Sequence, residues 1–226
     1  MIIKGLQKLT LLDYPGSLAA IVFVGGCNFR CPFCHNGTLV LGGADTIDTE
    51  QIFSFLESRR TKLGAVVISG GEPTIYSDLP DFIRRVRELG YKVKLDTNGT
   101  NPDMLISLVE SGLVDYVAMD IKNSPDAYES TAGARVDIEA VKRSVDFLLS
   151  NRVEYEFRTT LVKQLHTHEN MRKIGEWIKG AKRYFLQSYK HAEDVISGGL
   201  DAHTTKTVAE FLDIISPYVP NAQIRG

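Results

Sequence analysis

The 226-residue chain is 43% hydrophobic, ample for a packed core the size of one large domain. Its formal net charge is −2 with both signs interspersed, so it lacks the basic excess that binding nucleic acid or an anionic membrane surface requires. The stretch from Met1 to Lys8 lacks a signal peptide's apolar region, and the run from Leu18 to Val24 is far too short to span a bilayer; a soluble cytoplasmic protein is expected.

Short β-branched and aromatic runs alternate with helix-period segments. An edge strand is expected at Ile2–Gly5, then core strands at Ala19–Val24, Ala65–Ser69, Lys92–Asp96, Tyr116–Ile121, Glu154–Leu161 and Arg183–Gln187, with a last edge strand at Ala222–Arg225. Several are apolar nearly throughout, as parallel strands covered on both faces are. Between them, Asp48 and Gln51 read as a capping box ahead of Ile52, Phe53 and Leu56. Phe82, Ile83, Val86 and Leu89 form an apolar stripe ending at Gly90, and Asn101-Pro102 opens a helix that Gly112 stops. Further stripes are Ile138, Val141, Val145 and Leu148; Met171, Ile174 and Ile178; and Val208, Phe211, Leu212 and Ile215. About six strand-then-helix units predict an incomplete (β/α)6 TIM-type barrel with parallel core strands, because a full eight-unit barrel needs more chain. No linker or composition break divides residues 1–226, which read as a single domain. Reactive side chains then belong at the C-terminal ends of the strands.

The only three cysteines, Cys27, Cys31 and Cys34, fall in one loop, residues 27–34, directly after the first core strand. Three thiols cannot pair off as disulfides, and a reducing cytosol keeps them free. Three thiolates can hold three irons of a four-iron cluster and leave the fourth iron open to an exchangeable ligand. Structural zinc on these cysteines and His35 is the main rival, although four ligands on one short loop would tie little structure together. A thioredoxin-like Cys31–Cys34 pair would leave Cys27 without a role.

One strand later comes Ser69-Gly70-Gly71-Glu72-Pro73. Its glycines let backbone approach a ligand, and Glu72 offers an acceptor to an ammonium group; alone, the segment is an ordinary tight turn. Phe29 and Phe33 read as a shield for the cysteine loop and His35 as a supporting group. His166 and His168 flank Thr167 at a helix start and read as capping or exposed positions, Trp177 reads as core, and Lys179–Arg183 as a solvated basic patch.

Cys-x3-Cys-x2-Cys after one strand and Gly-Gly-Glu-Pro after the next resemble the radical S-adenosylmethionine superfamily. Within it, the ordered set Leu12-Asp13-Tyr14-Pro15-Gly16, Gly26-Cys27, Cys34-His35-Asn36, Ser69-Gly70-Gly71-Glu72, Leu95-Asp96-Thr97-Asn98-Gly99 and Met119-Asp120-Ile121-Lys122 is most similar to the glycyl-radical-enzyme activases. Among these, the resemblance points first to activators of anaerobic ribonucleoside-triphosphate reductase and next to pyruvate formate-lyase activases. It implies a 4Fe-4S cluster on Cys27, Cys31 and Cys34, and S-adenosylmethionine cleaved reductively to a 5′-deoxyadenosyl radical. That radical would take a hydrogen from a glycine of a partner glycyl radical enzyme, with flavodoxin or ferredoxin as reductant. The family's cofactor-binding segments fall here on Gly70, Gly71, Glu72, Asp96, Asp120, Lys122 and Arg158. The family's monovalent-cation positions fall on Asp96, Thr97 and Asp120.

Each polar position has a plainer reading. Asp96-Thr97-Asn98-Gly99 can be an Asx-type turn, Asp120 and Lys122 share a strand face and can be a structural pair, and Arg158 can be an exposed edge charge. Two rival functions also remain: radical chemistry on a small molecule, as in 7-carboxy-7-deazaguanine synthases, and a non-catalytic iron–sulfur or zinc module.

Overall fold

Eight strands form one sheet in strict chain order, β1 to β8. The structure is a computed structural model that describes residues 1–192 and 194–225. The strands are β1 (Ile3–Thr10), β2 (Ala19–Val24), β3 (Ala65–Gly70), β4 (Lys92–Thr97), β5 (Tyr116–Asp120), β6 (Glu154–Leu161), β7 (Tyr184–Ser188) and β8 (Ala222–Arg225). Every pair from β2 to β8 is parallel, whereas β1 runs antiparallel to β2. The helices are α1 (Gly37–Leu41), α2 (Thr49–Glu57), α3 (Leu79–Glu88), α4 (Pro102–Glu110), α5 (Tyr128–Ala132), α6 (Ile138–Leu149), α7 (His168–Trp177) and α8 (Thr205–Ile215). The architecture is the expected α/β partial TIM-type barrel. No helix among the described residues is long and apolar enough to cross a membrane.

Two cores result from the alternation of side chains across each strand. Val66, Ile68, Val93, Leu95, Val117, Met119, Tyr155 and Phe157 face the helices and are fully buried there. Each such apolar side chain contributes roughly 1.5–3 kcal/mol. Facing the other way, Ala19, Ile21, Ala65, Val67 and Tyr116 form a small lumen cluster with Tyr14 of the β1–β2 loop. Above this apolar floor the inward positions turn polar, and the strand exits carry the site.

Several local expectations are corrected. The first edge strand extends to Thr10, because Gln7, Lys8 and Leu9 can stay exposed on an edge while their backbone pairs with β2. Asp48 caps α2 by accepting from the Glu50 amide, with no reciprocal Gln51 contact. The capping box lies at α7, between Thr167 and Asn170. His166 is neither cap nor exposed but buried, at 1% exposure. Lys182 and Arg183 of the basic patch are both paired with Glu154.

Candidate active site

A cavity of about 410 Å³ opens at the C-terminal ends of the strands, within the size range of small-molecule sites. Its walls include Cys27, Cys31 and Cys34, the Ser69-to-Glu72 turn, Asp96, Asp120, Lys122 and Arg158. Every residue singled out above as a cysteine ligand or cofactor contact therefore meets one space. Phe29, Phe33 and His35 also line it, and His35 packs on Tyr189 with ring centroids 5.6 Å apart. From the region 187–191, Gln187 reaches the cavity while Lys190 and His191 are exposed.

The cysteine loop is built on backbone bonds to the neighbouring strand exits. Gly71 N donates to Val24 O at 2.9 Å and Glu72 N to Gly26 O at 3.0 Å, continuing the β2–β3 pairing beyond the strands. Gly70 has φ +109°, and a Cβ at Gly71 would lie 1.7 Å from Gly26 O. These glycines are thus required by the close approach of two backbones, not by space for a ligand. Arg30 N donates to Ala132 O at the end of α5, and Ser197 N to Pro32 O. Cys31 is buried, and all three thiols are free of disulfides. Burial pushes the Cys27 thiol up to about 11 and raises Cys31 as well, so loading a metal must expel protons. Among the described residues no group of three His, Cys, Asp or Glu side chains is placed to hold a single metal ion.

Glu72, 1% exposed, accepts from Thr74 N at 3.0 Å, Thr74 Oγ1 at 2.6 Å, Thr97 Oγ1 at 2.7 Å and Asn98 N at 2.6 Å. Its carboxylate is a hub joining the turns after β3 and β4, fully engaged within the protein, and not a free acceptor for a ligand ammonium. Glu72→Leu should lower stability by about 3 kcal/mol, since two buried amides lose their acceptor; a urea midpoint equal to wild type would contradict this.

Register sets the charged network: Asp120 on β5 lies opposite Arg158 on β6. Arg158 Nε is 2.8 Å from Asp120 Oδ1, and Arg158 Nη1 is 3.4 Å from Asp96 Oδ2. Lys122 Nζ is 2.9 Å from Asp120 Oδ2, and Ser69 Oγ donates to Asp96 Oδ2 at 3.0 Å. Burial alone would raise the Asp120 carboxyl, but Arg158 and Lys122 outweigh it and hold it at about 2. Asp96 is likewise held below its usual range against its own burial, by Arg158 and Lys94. Burial opposes the charge on Lys122, and Asp120 with Cys31 more than restores it. The network stays ionised near neutrality.

Two supports escaped the sequence reading. Lys94, 3% exposed, reaches 2.9 Å from Asp96 Oδ1. His166 Nδ1 accepts from Val162 N at 3.1 Å, which leaves Nε2–H to donate to Lys122 O at 2.9 Å. Burial lowers the His166 pKa and keeps it neutral, pinning the backbone of Lys122.

Comparison with known proteins adds four findings. A family profile described as "Radical SAM superfamily" matches residues 21–179. A Methanocaldococcus jannaschii protein assigned as a glycyl-radical enzyme activating enzyme is 33% identical over 99% of this chain and 95% of its own length. The pyruvate formate-lyase-activating enzyme of Clostridium pasteurianum is 28% identical over 80% of this chain and 77% of its own. Among solved structures, Streptococcus suis SuiB bound to S-adenosylmethionine superposes with a TM-score of 0.69, covering 91% of this chain and 52% of that one at 14% identity. At that identity the likeness concerns fold alone.

Proposed function

The chain belongs to the radical SAM superfamily, and from that premise we propose that it activates a glycyl radical enzyme by taking hydrogen from a glycine of that partner. The observation that carries this reading is the near-full-length match to the Methanocaldococcus jannaschii protein assigned as a glycyl-radical enzyme activating enzyme. The Clostridium pasteurianum relative supports the same reaction class. The resemblance of the Leu12-Asp13-Tyr14-Pro15-Gly16 lead-in favours an anaerobic ribonucleoside-triphosphate reductase as partner over a lyase. A small flavodoxin or ferredoxin in a reducing cytoplasm is the proposed reductant.

The family's cofactors, a 4Fe-4S cluster and S-adenosylmethionine, fit the donor set: three thiols on one loop share a cavity with an ion network that carries spare cationic groups. Cys27, Cys31 and Cys34 would hold the cluster. When bound, the reduced cluster would supply one electron, spent in breaking the sulfur–C5′ bond of S-adenosylmethionine, so that the pair would yield methionine and a 5′-deoxyadenosyl radical. The protein's own part is placement. Lys122 and Arg158 would meet the methionine carboxylate, Arg158 with a planar fork suited to it. The Gly70–Gly71 backbone would line the amino-acid end, with Glu72 fixing the turn. Asp96 and Asp120 would hold the cationic side chains in register, and Phe29 and Phe33 would keep water from the thiolates. A further monovalent cation is a poor fit. Both Asp120 oxygens are engaged by Arg158 and Lys122, Thr97 Oγ1 donates to Glu72, and Asp96 faces Arg158, Ser69 and Lys94.

The test is anaerobic reconstitution, reduction, and incubation with S-adenosylmethionine and a candidate partner. A glycyl-radical EPR signal on the reductase, with release of 5′-deoxyadenosine, is the expected result, and Cys31→Ala should lose both. A signal on a lyase alone would move the partner; 5′-deoxyadenosine without any protein radical would sink the activase reading in favour of a small-molecule substrate.

A further inference from the structure

We propose that Lys94 is a built-in counter-cation of the cofactor pocket, fixing Asp96 and through it Arg158, so that the site binds the anionic end of its ligand without an alkali-metal ion. The inference rests on reading the cavity as an S-adenosylmethionine site.

Lys94 lies two residues before Asp96 on β4 and so faces the same lumen. Its cross-strand neighbours, Val67 and Tyr116, belong to the apolar lumen cluster. A lysine 3% exposed in such a row is costly unless paired, and an alkyl side chain would fill the position at no such cost. Among the described residues its only carboxylate partner is Asp96, with Nζ 2.9 Å from Oδ1. Nζ also lies 5.9 Å from the Tyr116 ring centroid, within cation–π range. The other lumen carboxylate below, Glu156, is already taken by Tyr116 Oη at 2.9 Å and Arg225 Nη1 at 3.0 Å.

The geometry at Asp96 divides the work. Oδ2 receives Ser69 Oγ and faces Arg158, while Oδ1 is buried and makes no well-angled hydrogen bond. Oδ1 is therefore satisfied only through the charge of Lys94. Removing that charge leaves Asp96 to compete with Asp120 for the single guanidinium of Arg158. Around the two carboxylates stand three cationic groups, Lys94, Lys122 and Arg158, so one positive charge is left to meet an incoming carboxylate. An added metal cation would meet two carboxylates that are already outnumbered by cationic side chains and whose oxygens are engaged. Lys94 is thus a positioning residue: it acts on the ligand through Asp96 and Arg158.

The experiment is equilibrium dialysis of S-adenosylmethionine against cluster-loaded protein at fixed ionic strength, with potassium or sodium replaced by N-methylglucamine. Wild-type affinity should change by less than about twofold. Lys94→Met should bind about tenfold more weakly in N-methylglucamine and recover part of the loss in potassium, because a small ion can then enter beside Asp96. Lys94→Arg should retain binding in every salt. A merely structural lysine would give a defect that potassium cannot repair, and that result overturns the proposal. So does a wild-type affinity that falls about tenfold without potassium, an outcome that needs no variant to fold. If wild-type protein binds no S-adenosylmethionine in any salt, the reading of the cavity fails first and this inference with it.

Discussion

Gly71→Val is expected to leave the protein unable to retain iron and to lower its stability by about 3 kcal/mol or more. The new Cβ would begin 1.7 Å from Gly26 O and 2.6 Å from Gly26 C, both backbone atoms that no rotamer change can move aside. Gly26 immediately precedes Cys27, and its carbonyl accepts from Glu72 N, so relief of the clash must shift the cysteine loop, the Glu72 hub or both. The sulfurs would lose their common aim while the strands themselves remain. Iron per chain after anaerobic reconstitution and the urea midpoint of the iron-free protein are the two readouts. Gly198→Ala is the control, since a Cβ there meets nothing within 4 Å. A Gly71→Val protein with wild-type iron content would remove the case for a backbone lock between β2 and β3.

Arg158→Met carries the second large expected effect, about 3 kcal/mol of stability near neutral pH together with a raised acid midpoint. Arg158 is the one cation shared by Asp96 and Asp120. In the wild type the Asp120 carboxyl lies at about 2, below the ordinary 3.8. A depressed carboxyl contributes stability that is present above the unfolded-state value and lost as pH falls through the folded-state value. Here that window runs from about pH 4 down to about pH 2 and is of order 2 kcal/mol. Without Arg158 the burial of Asp120 persists while its largest opposing charge is gone, so its carboxyl moves up and acid unfolding begins at higher pH. Far-UV circular dichroism followed through an acid titration measures this directly. An unchanged acid midpoint would show that the pairing contributes nothing.

The parallel strands were legible because their apolar runs are interrupted by strong punctuation. Ala19–Val24 ends at Gly25-Gly26, and the observed bounds of that strand and of Glu154–Leu161 agree with those expected. The cysteine loop was legible from spacing alone. The charged lumen was not. In Lys92-Val-Lys-Leu-Asp the lysines look alike, yet Lys92 is exposed and Lys94 is buried. Glu154 and Glu156 behave the same way on β6. Both members of each pair face the lumen and differ in depth: Lys92 and Glu154 open their strands and stay exposed, while Lys94 and Glu156 lie one step further in, and alternation reports a shared face without saying how deep a position lies. The available signal was that Lys94 and Asp96 sit two apart on a strand whose end was already suspected. His166 differs from its expected capping or exposed role because its Nε2 partner, Lys122 O, lies on the exit of another strand, out of reach of any local pattern. Glu72 and the Gly70–Gly71 pair do line the cavity, but their neighbours lie on other strands, and local sequence does not distinguish a turn shaped for a ligand from one shaped for a second turn.

The cysteine segment is tied to its surroundings by main-chain bonds at Gly26, Arg30, Pro32, Gly71 and Glu72, and by side-chain bonds from Asn28 to Thr100, Asn36 to Gly70 O and Tyr76 to Gly25 O. In a zinc finger the metal is the keystone, and chelation unravels the chain. Here the segment is also anchored by protein–protein bonds to residues as distant in sequence as Gly71, Thr100 and Ala132, so its attachment to the barrel does not rest on the cysteine side chains alone.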